Sequence, residues 1–302
     1  ISKGSGMLDF EEEFIKLRPN YFVVNSDGNL PEKEALCQKY HVEYIILERE
    51  PYNGLPARST TRLRKIDQIP FRIDLAGGWL DQPFVSKHYP GSVITISLEP
   101  TYPFNKRSGM ASSTRRSAID LWGPRIPPGK LEKLAKILFC FDNPPGTKII
   151  SGSQDSIGII YPGLAKSFYG GKYWPKKIER LTEDPYLKFV EDSLYLVTIG
   201  PRNKTFDVLE HTEINSNNAK VLADAADLVW ESIKNFDLLN FGISVRASFE
   251  AQIKMFPNMV NDSTFELIQK YQDTALGWNL SGAGGGGYLI LVSDKPIPKG
   301  MK

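Results

Sequence analysis

Cysteine is nearly missing. Cys37 and Cys140 are the only two in 302 residues, too few for a disulfide framework and without the spacing of a metal centre. That scarcity favours a reducing compartment, and the expected location is the cytoplasm. Histidine is equally sparse: His41, His88 and His211 are scattered, which argues against a zinc site. No apolar run approaches the roughly 20 residues of a membrane-spanning helix, so no membrane association is expected. No signal-peptide pattern opens the chain. An excess of one charge is absent too. Against 37 Lys and Arg stand 35 Asp and Glu, and the net charge of +2 is spread along the chain. Without a basic stripe, nucleic acid is not an expected partner. Short runs such as "RLRK" (62–65) and "PKK" (175–177) read as solvated faces.

What is present is an ordinary globular composition, 41% apolar and 24% charged, enough for one large core or two smaller ones. "YFVVNSD" (21–27) reads as a strand, "PEKEALCQKY" (31–40) as a helix opened by Pro31, and "VEYIILER" (42–49) as a second strand. Such a strand–helix–strand unit suits the edge of a parallel sheet. Pro51, Gly54 and Pro56 then break the pattern and place a boundary near residue 66. Beyond it, "FRIDLA" (71–76) and "GSVITISLEP" (91–100) read as strands, "KLEKLAKILFCF" (130–141) as a helix and "SLYLVTIG" (193–200) as a strand. The last third is mostly helical. Val221, Leu222, Ala225, Val229 and Ile233 form an apolar stripe behind an N-cap within Asn215 to Asn218, and "NFGISVRASFEAQIKMF" (240–256) supplies another helix. Short strands mixed with helices predict an α+β fold after residue 66.

Near the end, "NLSGAGGGGYLIL" (279–291) contains Gly282, Gly284 and Gly287 in the G-x-G-x-x-G spacing of a dinucleotide site. Context excludes that reading. Phe265, Ile268, Tyr271 and Ala275 place a helix before the glycines, "YLILV" (288–292) reads as a strand after them, and only fifteen residues follow Gly287. Three further stretches have chemical potential. "PFRIDLAGGWLDQP" (70–83) brings Arg72, Asp74 and Asp81 near a Gly77–Gly78 turn. "KRSGMASSTRRSA" (106–118) sets small hydroxyl residues ahead of a helix, with Arg107, Arg115 and Arg116 adding positive charge for phosphate. "SGSQDSIGIIYPG" (151–163) places Gln154 and Asp155 among small residues before an apolar strand. Taken singly, each also fits a charged or serine-rich turn.

Together and in this order they resemble the motifs of the GHMP kinase superfamily of small-molecule kinases. "RIDLAGGWLDQP" is similar to the first motif as found in fucose and heptose-phosphate kinases, "SGMASST" to the phosphate-binding second motif, "GSQDSIG" to the segment with the catalytic aspartate, and "LSGAGGGGYLILV" to the third motif. The resemblance covers about residues 66–295. It implies a two-domain GHMP kinase fold, with domains 66–205 and 206–302, and transfer of the γ-phosphate of ATP to a hydroxyl of a hexose, heptose or sugar phosphate, with Mg²⁺. It implies that Asp155 accepts or orients the hydroxyl proton and Arg72 stabilises the transferring phosphoryl. Asp81, Gly77, Gly78 and Gln154 would contact the sugar. Gly109, Ala111, Ser112, Ser113, Thr114, Gly284, Gly285 and Gly286 would contact the nucleotide, with Ser113 facing the metal. Asp74 is left between a structural and a supporting role. The second motif departs from the pattern at Ala111, where glycine is usual, at Arg115 and Arg116, and in lacking a proline four residues ahead of Gly109. A catalytically weak sugar-binding homologue is therefore the alternative.

Residues 1–65 carry a separate likeness. "NLPEKEALCQKYHVEYIILER" (29–49) and "GLPARSTTRLR" (54–64) are similar to the closing part of cytidylyltransferase-like nucleotidyltransferases, a Rossmann-like α/β fragment. The H-x-G-H signature of that group is absent from these residues, so nucleotidyl transfer is not expected from this chain. A bifunctional protein making a nucleotide sugar is the longer arrangement this implies. The aromatic segment 161–181, with Lys176 and Lys177, is a candidate wall for the far end of the acceptor. Oligomeric state is not legible.

Overall fold

The computed structural model describes residues 8, 10–47, 69–100, 109–200 and 207–301. The Pro/Gly break at 51–56, the stretch 58–64, the run 62–65, position 105 and Arg107 lie outside the described residues. The chain divides into two units, Ile1–Leu63 and Arg64–Lys302.

In the first unit, a helix (Glu11–Leu17) precedes strand β1 (Tyr21–Asn25), a helix (Pro31–Lys39) and strand β2 (Glu43–Leu47). Pro31 begins its helix, where a missing N–H costs nothing. β1 and β2 pair in parallel, Tyr21 opposite Glu43 and Asn25 opposite Leu47. A small core of Phe14, Leu36, Cys37 and Val42 holds the unit together. Burial pushes the Cys37 thiol pKa up, so this cysteine is packing rather than chemistry.

The second unit mixes helices with two antiparallel sheets. One has the order β3-β4-β5-β6, formed by Phe71–Ala76, Gly91–Leu98, Leu164–Tyr169 and Lys177–Leu181. The other has the order β7-β9-β8, formed by Leu194–Gly200, Gly287–Val292 and Gly277–Leu280. Long helices Ser216–Lys234 and Leu238–Met255 pack on β3, and the shorter helix Ser153–Ile160 packs on β3, β4 and β5. The Asn215 side chain caps the first of these by accepting from the Asn218 amide at 2.9 Å. Phe71, Ile73 and Leu75 enter the core with Val229, Trp230, Phe241 and Val245. Strand alternation therefore sends Arg72 and Asp74 together to the opposite face of β3, and this positions the site. No described helix is long and apolar enough to cross a membrane.

Three expectations are corrected. The apolar run after Asp155, read as a strand, belongs instead to the helix Ser153–Ile160. Ser156 through Ile160 are all buried, so periodicity could not separate the two readings. The glycine loop directly follows strand β8, the helix before it having ended at Tyr271, and it leads into β9. The loop thus links two antiparallel strands, an arrangement that still opens no helix onto a pyrophosphate. Val221 also falls off the predicted stripe and is half exposed.

Candidate active site

Parts of all four motifs line one cleft of about 550 Å³. A flatter groove of about 680 Å³ along Lys133, Ile137 and Phe141 contains none of the predicted residues.

At the cleft floor, Arg72 is 2% exposed and held between two carboxylates. Its Nη1 donates to Asp74 Oδ1 at 2.7 Å and its Nη2 pairs with Asp155. Asp155 sits in the first turn of its helix, where the N-terminal dipole favours an anion, and stays partly open to the cleft. Gly158, one turn further on, lies against the stem of Arg72; a Cβ there would overlap Arg72 Cγ. Asp74 Oδ1 also accepts the Gly282 amide at 3.0 Å, joining the first motif to the glycine loop.

Beside this pair, Asp81 is 1% exposed and neither carboxylate oxygen has a hydrogen-bond partner. Gly152 allows the approach, since a side chain there would collide with the Asp81 carboxylate. Burial pushes the Asp81 carboxyl up to about 7, against the opposing pull of the Arg72 charge. Gln154 Oε1 is likewise buried without a partner. Burial also raises the pKa of the nearby Tyr169 phenol, whose hydroxyl lies 3.0 Å from Ser153 Oγ.

The second motif forms the wall. Ala111 adopts a left-handed φ of 52° as N-cap of helix Ser112–Trp122, a conformation that suits the glycine usual there. Gly109, Ser112 and Ser113 line the cleft, with Ser113 exposed. Gly109 packs so closely on the third-motif loop that a Cβ would come within 2.7 Å of Ser281 Oγ.

Several predicted residues lie off the cleft lining. Thr114 is buried off the cleft and its hydroxyl donates to Asp142 at 2.6 Å, because its position on the helix faces the neighbouring helix Leu131–Asp142. Arg115 turns inward: Nε donates to the Ile69 carbonyl at 2.9 Å and the guanidinium lies over the Phe71 ring. Gly77 is structural, its amide donating to Ser248 Oγ at 2.9 Å and its Cα face pressed on the Ser92 carbonyl. In the third motif, Gly282 and Ala283 line the cleft, whereas Gly284, Gly285 and Gly286 do not. The Gly285 amide donates to the Met259 carbonyl at 2.8 Å, and Gly284 packs on the same residue. The 161–181 segment is also absent from the lining: Lys177 pairs with Glu179 at 3.0 Å and the Trp174 ring packs under Lys136.

The cleft adds residues that the sequence reading passed over, namely Trp79, Gln82, Ile149 and Ile150. Trp79 has a left-handed φ of 80° and stacks on Phe256 with centroids 4.4 Å apart. A tryptophan directly after Gly77–Gly78 was the available signal. The two isoleucines in an irregular segment gave none.

This chain shares its fold with solved small-molecule kinases over about three quarters of its length. It superposes on Lactococcus lactis galactokinase complexed with galactose at a TM-score of 0.54, with 14% identity over 75% of this chain and 84% of that one. A mevalonate kinase aligns at a TM-score of 0.51, again with 14% identity, over 76% of this chain and 91% of the other. No family model matches the sequence. Among curated proteins, the bifunctional fucokinase/GDP-fucose pyrophosphorylase of Arabidopsis thaliana is 25% identical over 182 residues, 57% of this chain. The match spans 17% of that relative's length.

Proposed function

We propose that this chain is an ATP-dependent sugar kinase, transferring the γ-phosphoryl group to a hydroxyl of a hydroxyl-rich acceptor. The observation that supports this most is the Arg72–Asp155 ion pair, on the floor of a cleft whose wall carries Ser112 and Ser113 at a helix N-terminus. Phosphoryl transfer asks chiefly for alignment and charge stabilisation. The acceptor oxygen bonds to the γ-phosphorus as the bond to the β-phosphate oxygen breaks and ADP leaves, and the hydroxyl proton passes to Asp155. Arg72 favours the carboxylate form of Asp155 and offers positive charge beside the transferring group. Asp81 and Gln154 present buried oxygens that need donors, which sugar hydroxyls supply.

Mg²⁺ fits this arrangement as an ion arriving with the triphosphate. Among the described residues no three His, Cys, Asp or Glu side chains are grouped to hold a metal, and Asp74 and Asp155 are engaged with Arg72. Ser113, exposed on the wall, is the hydroxyl available to it. The ion would neutralise phosphate charge while keeping several waters.

Fucose is the first acceptor to test, because the curated relative is named a fucokinase. The likeness of residues 29–64 to the close of a nucleotidyltransferase has its own test: a nucleotide sugar formed from sugar phosphate and a nucleoside triphosphate by a longer chain would support it. ADP release measured across a panel of monosaccharides and sugar phosphates tests the kinase reading. Asp155→Ala should lower kcat by about a hundredfold or more, the lower bound for losing a positioned base. An unchanged kcat removes Asp155 from the chemistry. Sugar binding without ADP release from the wild type would favour a sugar-binding homologue instead.

A further inference from the structure

Asp74 is 1% exposed, yet its Oδ1 accepts two hydrogen bonds from distant parts of the chain: Arg72 Nη1 at 2.7 Å and the Gly282 amide at 3.0 Å. Its surroundings are fitted to it. Gly78 has no Cβ where one would come within 2.5 Å of Asp74 Oδ2, and Gln252, which occupies the same gap, donates to the Gly78 carbonyl at 3.2 Å. Asn279, just ahead of the loop, donates to the Leu75 carbonyl at 3.1 Å and ties β8 to β3. Arg72 therefore faces one carboxylate on its own strand and another on the helix Ser153–Ile160.

Resting on the kinase reading, we propose that Asp74 is a positioning residue that couples the glycine loop to the Arg72–Asp155 pair. It does so in two separable ways. Its oxygen anchors the loop at Gly282, and its charge holds Arg72 from the side opposite Asp155, so that Arg72 is shared rather than collapsed onto the base. The charged groups facing Asp155 across the cleft are Arg72 and Asp74 from β3, and Asp81 from the turn after it titrates near 7. Removing the Asp74 charge leaves Asp155 with a larger share of the Arg72 field. The base then ionises more readily and is weaker, so the acid limb of the pH–rate profile moves to lower pH and the plateau drops.

Asp74→Asn keeps an oxygen for Gly282 and removes the charge, whereas Asp74→Ala removes both. Steady-state kinetics on the full chain with ATP and its best acceptor should show Asp74→Asn lowering kcat by about tenfold, with the acceptor KM within about twofold and the acid limb shifted downward. Hydrogen exchange should find the Gly282 amide protected in wild type and in Asp74→Asn, and fast in Asp74→Ala. Wild-type kcat and an unmoved acid limb in Asp74→Asn would overturn the charge role. Unchanged Gly282 exchange in Asp74→Ala would overturn the anchoring role, and should that variant not fold, loss of Gly282 protection in Asp74→Asn would overturn it as well. If the wild type turns over no acceptor while Gly282 protection still depends on Asp74, the kinase reading fails and the coupling stands.

Discussion

Burial of Asp81 against Gly152, with neither oxygen partnered, makes proton uptake part of folding. Its carboxyl titrates near 7 in the folded chain, against an ordinary value near 3.8. Between those values the folded state binds the proton and the unfolded state does not, so stability falls as pH rises from about 4 to about 7. The ceiling on that loss is on the order of 4 kcal/mol. A sugar hydroxyl donating to the ionised carboxylate would recover part of it, which is how a destabilising residue comes to be useful in a binding cleft. Asp81→Asn has no charge to lose. Its melting temperature should be flatter than that of wild type from pH 4 to 8, and higher at pH 7.5, in the absence of sugar. Parallel pH profiles for the two proteins would show that Asp81 is solvated after all.

At the scale of elements, the helix Ser153–Ile160 determines where Arg72 can lie. Gly158 sits inside it, and replacing it with alanine would gain about 1 kcal/mol of helix propensity. The new methyl group would overlap Arg72 Cγ, and Arg72 cannot move aside while both Asp74 and Asp155 hold it. Overpacking of this kind costs about 1–3 kcal/mol, so the clash wins. Gly158→Ala should therefore melt earlier than wild type and lose at least about tenfold in kcat, since about 1.4 kcal/mol of misplacement suffices for that. A variant as stable and as active as wild type would mean that the Arg72 stem has room to shift. Much of this element's partner was legible in sequence: in "FRIDLA" the charged residues alternate with apolar ones, which already places Arg72 and Asp74 on one face. The helix itself was not legible, because a short, fully buried apolar run has no polar face to set its period. Thr114 and the glycines at 284–286 lie off the cleft lining for a related reason. A motif gives the residue types at a turn, but which hydroxyl or amide faces the ligand depends on neighbours, here Asp142 and Met259, that lie far away in the chain.

For the whole molecule, the two sheets of the Arg64–Lys302 unit share one core. Phe71, Ile94 and Leu164 from the first sheet meet Leu196, Ile290 and Val292 from the second, with Val229 and Trp230 of the helix Ser216–Lys234 in the same cluster. β7 belongs with β8 and β9, so a division by sheets falls ahead of Leu194, and a cut at 205 separates β7 from β9, its neighbour in the sheet. Each large apolar side chain uncovered by that cut loses about 1.5–3 kcal/mol of burial, and a handful of them exceeds the 5–15 kcal/mol that a typical fold has to spare. The cleft depends on the same continuity, because Arg72 and Asp155 come from one side of the cut and Gly282 from the other. Residues 64–302 expressed alone should therefore fold, unfold in a single cooperative transition and retain whatever ADP release the full chain shows. Residues 66–205 and 206–302 expressed separately should not give native-like spectra, and mixing them should not restore a cooperative melt. If either half folded alone with a sharp transition, the shared core would not be what holds the two sheets together, and the glycine loop would have to be kept beside Arg72 by the Asp74–Gly282 and Asn279–Leu75 bonds instead.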